Sequence, residues 1–165
     1  MGCDIHFFTE RKTSSNNYQG PKDLSEDRNN KIEQIIDNKP VEERWVSADY
    51  WEIEDESWGV PYSRSYYKGR NYYLFSILAG VRGDTEPIDY PRGIPEDSSS
   101  GYSYITNQWE GDGHSHSYFT LKELLEVDWD YYQKEHLSEF METIEKMKLV
   151  NNDPEKVRCV FFFDN

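Results

Sequence analysis

Residues 157–163 read Val-Arg-Cys-Val-Phe-Phe-Phe, and only Arg158 interrupts the apolar run. β-Branched and aromatic residues favour strands, and a nearly unbroken apolar strand suits the centre of a sheet covered on both faces. A run of this kind forces a fold around itself. The 165 residues leave room for one such domain and little for a second. A mean hydropathy of -0.94 with 36% hydrophobic residues would suit a disordered chain. The 16% of aromatic residues, with 13 Tyr, 8 Phe and 5 Trp, supplies the missing core. The expected class is α+β: a single domain, 1–165, with a mixed or antiparallel sheet. That sheet includes the N- and C-terminal strands, and helices pack on it.

Local patterns fill in the rest. Residues 3–12 alternate as a strand, with Cys3, Ile5 and Phe7 on one face and Asp4, His6 and Phe8 on the other. Segment 13–40 reads as an insertion between strands, holding a helix over 23–38 with Ile32, Ile35 and Ile36 as its stripe. A second strand region is expected over 44–53 and a loop over 55–69. A buried helix over 71–79 should close at Gly80. Residues 81–108, with Pro87, Pro91 and Pro95, read as a long ordered loop. Thr120 and Glu123 make a capping box for a helix that turns Leu121, Leu124 and Leu125 inward. An amphipathic helix over 131–148 places Leu137, Phe140, Met141, Ile144 and Met147 on its apolar face.

Charge narrows the partners. The chain carries 32 acidic against 18 basic residues, net -14. A chain this acidic lacks the basic stripe that neutralises phosphates, which disfavours direct DNA or RNA binding. The first 40 residues are nearly balanced, with 7 acids and 6 bases, so the excess lies behind them. It reads either as solvated surface or as the face of an acidic inhibitor. No apolar run approaches a membrane span, and no secretory leader is visible at the start. Cys3 and Cys159, each in a strand-like run, read as reduced core residues.

The chemistry concentrates in two short motifs. Asp4-x-His6 projects a carboxylate and an imidazole from one face of a strand. Gly113-His114-Ser115-His116-Ser117, preceded by Asp112, sets two histidines before the capped helix, whose dipole would keep them neutral. Asp4, His6, His114 and His116 are the candidate ligands of a divalent metal such as Mn, Mg or Zn. His114, His116 and Asp112 are the candidate catalytic groups. Arg82, Arg92, Ser115 and Ser117 are candidates for holding an anionic ligand. The rival readings are structural: an Asp that orients a core His, a polar turn, and arginines that staple the loop by internal ion pairs.

Asp4-x-His6 and Gly113-His114-x-His116, with Gly83-Asp84 between, resemble the first and last motifs of calcineurin-like metallophosphoesterases. The further Gly-Asn-His-Asp/Glu motif of that family has no counterpart here, so the likeness reads as convergence or accident rather than membership. A broader resemblance runs along nearly the whole chain outside 13–40. MGCDIH, SADYWE, GRNYYLFSILAGVR, PRGIPED, GHSHS before TLKEL, and VRCVFFFDN resemble a family of small tailed-bacteriophage and prophage proteins. That resemblance implies expression in an infected bacterial cytoplasm and chooses no mechanism; small accessory phage proteins in that setting often counter host defence. The partner would then be a small phosphorylated molecule or a host defence protein. Three activities stay open at this stage: metal-dependent hydrolysis of a nucleotide or other phosphoester, sequestration of a nucleotide-like signal, and acidic inhibition of a defence protein.

Overall fold

The computed structural model describes residues 2–13 and 44–164. The expected helix over 23–38 and most of the expected insertion lie outside the described residues. Four strands form one antiparallel sheet: β1 (Ile5–Thr13), β2 (Arg44–Ser47), β5 (His114–Thr120) and β6 (Val157–Phe163), in the order β2-β1-β6-β5. The class is α+β, and the strands nearest the two ends of the chain, β1 and β6, lie side by side at its centre. A separate exposed hairpin joins β3 (Glu52–Glu54) to β4 (Ser57–Gly59).

All seven residues of β6 are buried, and their alternation divides the core. Val157, Cys159, Phe161 and Phe163 face a layer of helices α1 (Tyr72–Ala79), α3 (Leu121–Glu126) and α4 (Ser138–Lys148). Val160 and Phe162 face Trp51 and helix α2 (Ser100–Gln108), together with Phe8 of β1. Helix α1 starts on Asn71, whose side chain accepts from the Leu74 N–H, and stops at Gly80 in the left-handed conformation. The capping box of Thr120 and Glu123 is formed. Both cysteines are free and buried. Among the described residues no helix is long and apolar enough to cross a membrane.

Several expectations need correction. The stretch 81–108 is irregular only as far as 99, because α2 takes its last nine residues. Its start is capped by the Ser99 side chain, and only Tyr102, Ile105 and Gly101 are buried, so the apolar stripe is thin. The last long helix begins at 138 and not at 131. Gln133 sits in the left-handed region (φ 56°), and residues 134–136 form a 3-10 turn. Leu125 is 44% exposed, because a six-residue helix spends its inward face on Leu121 and Leu124. Region 44–53 is two strands in different sheets, and the expected loop 55–69 contains β4 and a 3-10 turn.

Gly101 marks where α2 meets Trp51. A Cβ there would fall 2.6 Å from Trp51 Cζ2. Overpacking costs ~1–3 kcal/mol, against a helix-propensity gain of ~1 kcal/mol for Gly→Ala. Gly101→Ala is therefore expected to lower net stability, and urea unfolding would show its midpoint below wild type. An equal or higher midpoint would mean that the indole moves aside freely.

Candidate functional site

The two motifs meet at one end of the sheet, where β1 and β5 begin and β6 stops. His6 lies on β1 directly across from Phe162, and its ring stacks on that phenyl at 4.7 Å with 6° between planes. Trp109, which ends α2, packs on the same imidazole at 4.4 Å. His6 Nε2 lies 2.7 Å from Asp164 Oδ2. The other oxygen, Oδ1, accepts the Asp4 N–H at 3.1 Å, and the Asp164 N–H returns a bond to the Asp4 carbonyl. Burial pushes the Asp164 carboxyl up. The bonds from His6 and the Asp4 N–H, with the charges of His6 and Arg70, outweigh it and hold the group below its ordinary range. An ionised Asp164 fixes the His6 tautomer: Nε2 carries the proton, and Nδ1 has no hydrogen-bond partner among the described residues.

Asp4 does not join His6. Its carboxylate turns to Arg70, which reaches it through Nε at 2.7 Å and the second guanidinium nitrogen at 2.6 Å. Both side chains are about half exposed, 54% and 53%, so this pair is open to exchange with another anion.

His114 and His116 occupy the first turn of the ladder on β5 rather than a helix start. His114 pairs with Phe163, and the register then slips before Ser117 meets Phe161, leaving Ser115 and His116 at a bulge opposite Phe162. Ser115 takes the left-handed conformation (φ 55°), and its hydroxyl meets His114 Nδ1 at 2.9 Å. His116 stacks on Phe162 at 5.2 Å. A Cβ on Gly113 would fall 2.9 Å from the Phe162 ring, so glycine lets the turn close over it. Burial, and next the charge of His114, push the His116 imidazole down. The neutral imidazole expected at a helix N-terminus is thus obtained from burial.

The structure places the other candidate residues as follows. Asp112 is exposed in the turn between Trp109 and Gly113. Ser117 is fully buried, and its hydroxyl accepts the Arg92 N–H. Arg92 spends its fork on Glu123 (3.0 and 2.7 Å) and its Nε on Asp89, which staples the 81–99 loop to β5 and α3. Arg82 sits on the α1 side, over the Tyr72 ring. The four candidate metal ligands are not brought together. Strand β6 separates β1 from β5, so His6 and His116 stand two strand spacings apart, about 10 Å, with Phe162 between them. Among the described residues no three His, Cys, Asp or Glu side chains could hold one metal ion.

Asp164, Arg70, Trp109 and Phe162 carry the site as much as the motifs do; in the sequence Phe162 reads as core of the terminal strand and Trp109 as one of several aromatics, and Asp164 and Arg70 do not stand out. The signal for Asp164 is its place just after the terminal strand, in the VRCVFFFDN stretch. Compared with known proteins, the chain gives no significant match to a family model, a curated protein or a solved structure.

Proposed function

We propose that this protein hydrolyses a small phosphorylated molecule, a nucleotide or a related phosphoester, at the end of the sheet held by His6, Asp164 and Arg70. The observation that carries this reading is the 2.7 Å bond between His6 and Asp164, joined through Asp4 to the exposed Arg70. With Nε2–H given to Asp164, His6 Nδ1 is the basic nitrogen. It takes a proton from water as the water oxygen bonds to phosphorus. The ester P–O bond breaks, and the departing oxygen takes the proton back from the imidazolium. Asp164 stabilises that imidazolium, as a carboxylate does wherever it backs a histidine base. Arg70 leaves Asp4 for the phosphate and offers it a planar fork. His116, kept neutral, is a second proton acceptor on the same face.

The likeness to phage proteins supports the setting: an infected bacterial cytoplasm in which the phosphorylated molecule is a host defence signal. The test is a pH–rate profile on a chromogenic phosphoester. His6→Ala is expected to reduce turnover by about 10²-fold or more, the usual contribution of a general base. Asp164→Asn should reduce it and alter the acid limb of the profile. Turnover that persists in His6→Ala at the wild-type rate would reject the assignment.

A further inference from the structure

We infer that a groove lined by the 62–72 segment and α4 binds a nucleoside phosphate, its base held against tyrosine rings and its phosphate by Lys68 and Lys146. The groove has a volume of about 860 Å³, within the range of small-molecule sites. One wall is the 62–72 segment; the other is α4 with the turn before it. Three cations, Lys68, Arg70 and Lys146, face two acids, Glu139 and Glu142, an inversion of the charge balance of the chain. Lys146 has no side-chain partner among the described residues.

The aromatic surfaces are unusual in being both exposed and fixed. Tyr62 is 73% exposed, and its hydroxyl donates to the Lys68 carbonyl. Tyr72 is 37% exposed, and its hydroxyl accepts the Cys3 N–H at 3.1 Å. The walls are also tied to each other. Thr143 of α4 donates to the Tyr66 carbonyl at 2.7 Å, and Asn71 donates to the His136 carbonyl at 3.0 Å. A preformed cleft with anchored rings loses little freedom when it takes a ligand. Tyrosine faces accept any base by stacking, and the cations select a phosphorylated form.

The groove reading stands apart from hydrolysis at His6, and the experiment keeps the two separate. The full chain is titrated calorimetrically with AMP and ADP, then with adenosine and with inorganic phosphate. Saturable binding of AMP or ADP, tighter than that of adenosine or phosphate, is expected. Lys146→Ala and Tyr62→Ala, both surface changes, should each weaken it by about tenfold. His6→Ala should leave it unchanged even where it abolishes turnover. The inference is overturned by no saturable binding of either nucleotide. It is equally overturned by binding that both groove variants leave intact, or by binding that His6→Ala removes.

Discussion

Replacing Arg158 by alanine is expected to lower the unfolding free energy by about 3–5 kcal/mol, the cost of leaving a buried charge without its partner. Arg158 and Glu10 are cross-strand neighbours on β6 and β1, 4% and 1% exposed, and the guanidinium Nε meets Glu10 Oε1 at 2.6 Å. The other Glu10 oxygen accepts the Ser99 N–H at 2.6 Å, and Arg158 also holds Asp97 through its carboxylate and its carbonyl. The guanidinium lies 4.1 Å from the Trp45 ring centroid. Removing the arginine strands Glu10 in the core with one N–H donor, and frees the loop that leads into α2. Denaturant unfolding measures the loss, and hydrogen exchange at the Ser99 amide should quicken with it. The double variant Glu10→Gln, Arg158→Met should recover much of the loss, because well-packed neutral groups often replace a buried pair at little cost. A loss below about 1 kcal/mol for Arg158→Ala would mean the pair is worth no more than a surface bridge.

Asp49→Asn is expected to stabilise the protein at pH 8 by a few kcal/mol, the opposite of most substitutions in a core. Asp49 is 1% exposed; its Oδ2 accepts the Thr9 N–H at 2.9 Å, and Oδ1 has no partner among the described residues. Burial pushes the carboxyl up to about 8, the Thr9 bond opposes this, and nearby Glu10 adds to it. The folded pKa thus lies above the value of 3.8 expected without burial. Between pH 3.8 and about 8 the folded chain holds a proton that the unfolded chain has released. Stability from this group is complete below the lower value and falls as pH rises, by at most ~1.4 kcal/mol per unit. Asparagine keeps the acceptor for Thr9 and carries no charge. The difference between variant and wild type should therefore grow from pH 4 to pH 8, measured by denaturant unfolding at each pH. Parallel curves would show that Asp49 does not titrate in this window.

The sequence disclosed what depends on local patterning. The burial of 157–163, the alternation of β1, the Gly80 stop and the Thr120–Glu123 capping box are all set by neighbouring residues, and each formed as expected. Arg92, set among acids in the sequence, fits an internal staple, and it pairs with Glu123 and Asp89. Helix α2 was hidden because its stripe is a single Tyr102 and Ile105 in a serine-rich segment. The site was half visible. His6, His114 and His116 stood out as a cluster, but the carboxylate that binds His6 is 158 residues away, brought there by strand pairing. Asp4, two residues away and on the same face, is drawn off by Arg70. The groove is less legible still, because its walls come from 62–72 and α4, and only tertiary packing sets them opposite each other.

A pool of cyclic and linear nucleotides, incubated with the purified chain and recovered after the protein is denatured, tests the central claim most directly. Hydrolysis at His6 predicts that at least one nucleotide is converted by wild type and returned intact by His6→Ala. Full recovery of every nucleotide from the wild-type protein would contradict it, and any nucleotide retained before denaturation would then mark a binding protein that does no chemistry.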